Sequence, residues 1–296
     1  MDMSVVHGSI AVGVDGSAAA SAALDWAVRQ AALENRPLTV VHACGLPGAM
    51  QDFEDIVANE RGLRSVGRSI AREAVEQVRA TDRTVGVESH VTMGHPETVL
   101  VEASETADMV VVGARGRGTV ASALLGSVSA AVARESMCPV VVVRDFVDAP
   151  REFDTRPVVV GVDGTPASTA AVEFAFRMAS ERDAPLTLLH ATWDLREQVS
   201  PVLDLRSYAE RVNLSEEEER LVAETVAGLC EKYPDVGVTE TYLRGEPVRR
   251  LVEASREAAL VVVGTRGRRL LATTLLGSVS RGVAERAYSP VAVVRP

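Results

Sequence analysis

The chain carries one unusual segment twice. Gly113-Ala114-Arg115-Gly116, nine further residues and Gly126-Ser127-Val128-Ser129 return as Gly264-Thr265-Arg266-Gly267, nine further residues and Gly277-Ser278-Val279-Ser280. In both copies an apolar run leads into the first glycine, Met109-Val110-Val111-Val112 and Leu260-Val261-Val262-Val263. A buried strand therefore ends where a glycine-rich turn begins, and the second Gly-Ser pair opens an apolar, alanine-rich helix. Glycine lets backbone N–H groups approach a ligand closely, and a helix N-terminus presents unpaired donors with a partial positive charge. Together they hold phosphate without a lysine. The alternative is two strand-turn-helix connections that use glycine only for tight turns; duplication in register favours phosphate.

The rest of the chain repeats as well. Gly13-Val14-Asp15-Gly16-Ser17 answers to Gly161-Val162-Asp163-Gly164-Thr165, Val40-Val41-His42-Ala43 to Leu188-Leu189-His190-Ala191, and Met93-Gly94-His95-Pro96 to Arg244-Gly245-Glu246-Pro247. The offset is 148 residues for the early blocks and 151 for the later ones, so three residues are inserted between Ala191 and Gly245. Units this long are tandem domains, since solenoid repeats run to roughly 20–50 residues. A length of 296 residues agrees. The polar, aperiodic stretch Asp145–Arg156 separates the halves, which places domains at 1–146 and 157–296 with a linker at 147–156.

Each half alternates strand and helix. In the first, strands are expected at Ser9–Val14, Leu38–Ala43, Thr84–Met93, Met109–Gly113 and Val140–Val143. Helices fall between them: Ser17 to about Glu34, Asp55–Ala80, Pro96 to about Glu105, and Ser127–Glu135. In the second, strands are expected near Pro157–Val162, Leu186–His190, Val238–Leu243, Leu260–Gly264 and Val291–Val294, with a helix start at Thr165-Pro166 and a long helix at Asn213–Lys232. Continuous β-branched runs between helices mean parallel strands covered on both faces. The fold class is α/β: two tandem doubly wound, Rossmann-like domains, each a five-stranded parallel sheet flanked by helices. Ligands in such sheets bind at the carboxyl ends of the strands, where strand order reverses. Asp15, Ala43 and Gly113 all stand there.

Charge excludes several functions. The net charge is −10 and the isoelectric point about 5.1, which disfavours a nucleic-acid partner. Lys232 is the only lysine and lies near neither glycine turn, so neither a Walker-type loop nor a Schiff-base enzyme fits. Cys44, Cys138 and Cys230 are scattered, without a C-x-x-C pair, and read as free thiols of a reducing compartment, with redox sensing at Cys44 the minor alternative. The N-terminus does not read as a cleavable leader and no apolar run reaches membrane-spanning length. The expectation is a cytoplasmic protein without a membrane partner.

These residues resemble the ATP-binding class of universal stress proteins, in the tandem arrangement of actinobacterial members. The pattern G-x-x-G-x9-G-[ST] after a strand, with an aspartate just past strand one, carries the resemblance over nearly the whole chain. By position it implies adenine against Ala43 and Ala191, and Gly13, Asp15, Gly161 and Asp163 approaching adenine, ribose and the metal-phosphate region. It implies phosphates on Gly113, Ala114, Arg115, Gly116 and Arg117 with Gly126, Ser127, Val128 and Ser129. The second set would be Gly264, Thr265, Arg266, Gly267 and Arg268 with Gly277, Ser278, Val279 and Ser280. ATP, with Mg²⁺ at Asp15 and Asp163, is the implied cofactor, and domain pairing the implied assembly.

The residues themselves leave alternatives open. Ser127 and Ser278 suit phosphate oxygens, or act as helix N-caps. Asp15 and Asp163 suit Mg²⁺ or ribose hydroxyls, or form Asx-type turns. Arg115, Arg117, Arg266 and Arg268 supply charge, or are solvated surface. His42 and His190 read as core or rim residues, since no second ligand stands at metal spacing. Gly118 in the first loop becomes Arg269 in the second, so the sites are not identical. No base or paired nucleophile recurs beside both turns. The leading expectation is an ATP-binding regulatory protein acting through a partner. A slow Mg-dependent ATP hydrolase and an assembly module with a structural nucleotide are the alternatives. The short apolar strands Val140–Val143 and Val291–Val294 read as sheet edges, from which self-association into a homodimer is expected.

Overall fold

A computed structural model describes residues 5–45, 53–116, 125–144, 154–163, 165–192, 223, 226–265 and 276–296. The chain divides into two compact units, Met1–Val147 and Asp148–Pro296. The first contains β1 (Ile10–Gly13), α1 (Ala18–Glu34), β2 (Leu38–Cys44), α2 (Phe53–Thr81), β3 (Val87–Met93), α3 (Pro96–Ala103), β4 (Met109–Gly113), α4 (Ser127–Glu135) and β5 (Val140–Val143). The second contains β6 (Val158–Gly161), α5 (Pro166–Glu181), β7 (Leu186–Thr192), β8 (Val238–Arg244), α6 (Pro247–Ala254), β9 (Leu260–Gly264), α7 (Ser278–Arg286) and β10 (Val291–Val294). Residues 226–232 are also helical; the earlier part of the expected helix, 213–222, lies outside the described residues.

The strand orders are β3-β2-β1-β4-β5 and β8-β7-β6-β9-β10. Every pairing within them is parallel, with Ile10 opposite both Leu38 and Met109, and Val158 opposite both Leu186 and Leu260. The α/β class, the parallel sheets and their flanking helices are therefore as the alternating sequence indicates. Order reverses between β1 and β4, and between β6 and β9, which makes these the switch points of the two units.

The valine runs form strands because both sheet faces are covered. Ile10, Leu24, Leu38 and Met109 are fully buried in the first unit, as are Phe176, Met178, Leu186 and Leu260 in the second. Each such side chain contributes on the order of 1.5–3 kcal/mol of transfer free energy. In the first unit α1 lies against β1 and β4, and α2 against β2 and β3. Gly67 permits the second of these contacts, since a Cβ there would stand 2.6 Å from Cys44 Sγ and 2.8 Å from His42 Cδ2.

Local chemistry sets the helix ends. The Ser17 hydroxyl caps α1 by accepting from the Ala20 amide at 3.2 Å, and Thr165 caps α5 by accepting from Ser168 at 3.3 Å. Asn35 ends α1 in the left-handed region at φ 51°, and Asp183 repeats this after α5 at φ 50°. The largest departure from the expected strand bounds is in β3. β3 begins at Val87, not Thr84, because the Asp82 carboxylate accepts from the Thr84 amide and hydroxyl at 2.8 and 2.6 Å and closes a turn there.

Candidate functional site

Pairing of β1 with β4 brings two distant stretches to one rim. Asp15 follows β1, and its Oδ1 accepts from the Ser17 amide at 2.9 Å, so it forms the turn that leads into α1. Gly16, at φ 78°, takes the left-handed conformation this turn requires. The other carboxylate oxygen faces the glycine loop: a Cβ on Gly116 would stand 2.7 Å from Asp15 Oδ2. The aspartate and the G-x-x-G motif, a hundred residues apart, therefore meet. Asp163 holds the matching turn, accepting from the Thr165 amide at 3.1 Å and its hydroxyl at 2.6 Å. Both aspartates thus form the Asx-type turns that the sequence allows them.

The glycine loop is pinned at both ends. The Ala114 amide donates to Val143 at 2.7 Å, and the Gly126 amide returns to the Ala114 carbonyl at 2.8 Å. The buried Ser129 hydroxyl donates to the carbonyls of Ala114 and Gly126, each at 3.1 Å. In the second unit Thr265 donates to Val294 and Gly277 to Thr265, both at 2.8 Å, and the Ser280 hydroxyl donates to Gly264 at 2.6 Å. The hydroxyls of Ser129 and Ser280 are thus engaged in holding the loop; toward a ligand these residues can offer only their amides.

Gly126 and Gly277 themselves occupy the N-cap positions, and no side chain caps either helix. The alternative that Ser127 and Ser278 act as N-caps is corrected accordingly: each is the first helical residue and exposed. With no cap, the first-turn amides of α4 and α7 keep the unpaired donors and positive end of the helix dipole that favour an anion. Val128 and Val279 are half-buried in those same first turns.

Other glycines answer to packing. A Cβ on Gly113 would lie 2.7 Å from the backbone C and O of Ala19, so this residue lets β4 approach the first turn of α1. One on Gly13 would lie 3.0 Å from Leu100 Cδ1, and one on Gly161 3.1 Å from Leu251 Cδ1. Ala43 and Ala191 are half-buried near the ends of β2 and β7, within reach of the same rim. Arg115 is half-buried and Gly116 exposed, while Arg117, Gly118, Arg266, Gly267, Arg268 and Arg269 lie outside the described residues.

Two contacts at the rim are not legible as site residues in the sequence. His42 Nδ1 lies 2.7 Å from the Val14 carbonyl, and His190 Nδ1 2.8 Å from Val162, so each fastens the second strand of its unit to the turn bearing the aspartate. Their duplication at one offset is the signal that marks them. Cys44, below this rim, is 3% exposed, and burial pushes its thiol up, with Arg64 opposing. Burial, with Asp108 adding to it, pushes the Cys138 thiol to about 12. Cys44 is a buried thiol and Cys138 a half-buried one, and a raised thiol holds little thiolate at neutral pH. Among the described residues no three His, Cys, Asp or Glu side chains gather as a metal cluster, and no helix is long and apolar enough to cross a membrane.

A profile described as the universal stress protein family matches residues 8–144 and 154–295. Universal stress protein Rv2005c of Mycobacterium tuberculosis is 38% identical over 297 residues, covering 98% of this chain and 97% of that protein. Universal stress protein Rv2623 of the same organism is 38% identical over 295 residues, covering 97% and 96%. Among solved structures, a universal stress protein from Archaeoglobus fulgidus superposes with a TM-score of 0.66 at 20% identity, covering 97% of this chain and 96% of that one. At that identity the likeness is one of fold.

Proposed function

The chain belongs to the universal stress protein family, and we propose that it is an ATP-binding regulatory member of the cytoplasm with one nucleotide site in each half. One observation carries this reading. In both units an uncapped helix N-terminus opens beside the switch point of the sheet, with an aspartate turn at the same rim. The amides of Ser127, Val128 and Ser129 would receive phosphate oxygens in the first half, and those of Ser278, Val279 and Ser280 in the second. Ala43 and Ala191 would flank the base. The half-buried Arg115 stands beside the loop as a source of charge.

Asp15 and Asp163 fit Mg²⁺ in the way that ion is commonly held, by one carboxylate together with nucleotide phosphates and water. Asp15 Oδ2, turned toward Gly116, is the atom that would take this part. The nucleotide state would act by ordering the glycine loops, whose surfaces a partner reads. Self-association to a homodimer, with four sites, completes the proposal.

The test begins with freshly purified protein. Acid release and mass measurement identify any bound nucleotide, and calorimetry on stripped protein counts sites. Two ATP per chain are expected. No nucleotide in either measurement would sink the reading, whereas one site per chain would trace to the Gly118-to-Arg269 difference between the loops.

A further inference from the structure

Helix α2 turns one face to the core and a line of arginines outward. Ile70, Ala71, Ala74 and Val78 are buried, while Arg61, Arg68, Arg72, Arg79 and, just past the helix, Arg83 are all exposed. Spacings of seven, four and seven residues keep Arg61 to Arg79 within an arc of roughly 40°, and the helix rise spreads them over about 27 Å. Arginines in other elements find carboxylates: Arg249 and Arg250 pair with Glu253, and Arg281 with Glu285. On α2 itself Arg64, off the row, pairs with Glu60 at 2.9 Å. Among the described residues none in the row has an ion pair, and Arg72 reaches only the Ser69 hydroxyl at 3.5 Å.

On α2 Arg68 and Arg72 are like charges four residues apart, while Arg72 and the exposed Glu76 are opposite charges at the same spacing. A row of exposed arginines outnumbering the carboxylates beside it suits an anionic surface. Residues 60–83 hold six arginines and four carboxylates, so the remainder of a chain of net charge −10 stands at −12. Beside the row Val66 is 54% exposed, and a shallow depression is lined by Glu76, Arg79, Ala80 and Arg83.

We propose that the arginine row of α2 is the surface on which a second copy of this chain docks, through the acidic remainder of that copy. The inference rests on the self-association proposed above and names its surface. Two such contacts related by a twofold axis close the dimer. Long-range attraction between basic row and acidic body sets the encounter and the register, and weakens with salt.

The test is sedimentation velocity of the full chain and of an R68E/R72E/R79E variant, at about 0.05 M and about 0.5 M salt. These side chains are exposed and have no ion pair among the described residues, so the variant is expected to keep its circular dichroism and unfolding midpoint. The wild type is expected to dimerise more weakly at high salt, and the variant's dimer dissociation constant to rise at least about tenfold at low salt. A wild type that stays monomeric at every concentration overturns both the dimer and its surface. A variant that dimerises like the wild type overturns the surface alone. Binding of duplex DNA or anionic vesicles by the wild type and not by the variant, with dimerisation equal in both, would assign the row to that other occupant.

Discussion

The Nδ1 of His42 lies 2.7 Å from the carbonyl oxygen of Val14. A carbonyl can only accept, so Nδ1 carries the proton, and the bond ties the end of β2 to the turn that presents Asp15. His190 and Val162 repeat it at 2.8 Å. The imidazole thus acts on the site through the backbone: it fixes where the turn after β1 runs.

His42→Ala removes that donor and leaves a carbonyl unpaired at the rim. A loss of about 1–2 kcal/mol in the stability of the first unit is expected. Nucleotide affinity at the first site should fall while the second is unchanged. Urea unfolding and calorimetry on the same variant check both; an unaltered midpoint would mean that water replaces the bond at no cost.

Gly113→Ala separates packing from binding. Its Cβ would meet the Ala19 backbone at 2.7 Å, and backbone cannot swing aside, so β4 and α1 must part at a cost of about 1–3 kcal/mol or more. At Gly126 the nearest atom is the Ala114 carbonyl oxygen at 3.3 Å, a contact that yields by a few tenths of an ångström. Gly126→Ala should therefore fold nearly as the wild type. Thermal unfolding of the pair tests this; equal midpoints would remove the role given to Gly113.

How much of this was readable beforehand varies with the physics involved. Val110–Val112 and Val140–Val143 announce buried parallel strands because burial on both faces leaves no alternation, and the two are parallel in the sheet. The start of β3 was not readable, since Asp82 competes for the backbone of Thr84 through local hydrogen bonds. The glycine motif points to a phosphate loop, yet Gly113 answers to α1, because clearance at a Cβ depends on where a helix 94 residues earlier comes to rest. Arg61 to Arg83 stand in the sequence at plain spacing, but they become a surface only once Ile70, Ala74 and Val78 mark the buried side of α2.

Asp15→Asn keeps an oxygen for the Ser17 amide, so the turn and the stability of the first unit should persist. What it loses is the charge near Gly116. Binding of Mg·ATP at the first site is expected to weaken more than binding of metal-free ATP, by about tenfold or more, a difference of about 1.4 kcal/mol. Calorimetry with and without Mg²⁺ compares them, and equal losses in the two conditions would leave Asp15 a turn former only.

Cys44 and Cys138 should resist thiol reagents in the native protein near pH 8. Burial raises both thiols, Cys138 to about 12, so little thiolate is present to react. Mapping by mass spectrometry is expected to find both modified in denaturant and unmodified without it. Rapid native labelling of Cys44 would return the redox role to it.

Ser127→Glu sets stability against binding at the site itself. Ser127 is exposed and first in α4, where a carboxylate meets the positive end of the helix dipole and is worth about 0.3–1 kcal/mol to the fold. The same charge lies among the amides assigned to phosphate and repels it. The variant should therefore unfold at the same or a higher temperature while the first site loses ATP affinity by about tenfold or more. Ser278→Glu should do the same to the second site alone, and the double variant should bind no nucleotide. A general disturbance of the loop would lower stability and affinity together, so the opposite signs are the diagnostic. If the double variant, folded and at least as stable as the wild type, still takes up two ATP, the phosphates do not sit at the α4 and α7 N-termini.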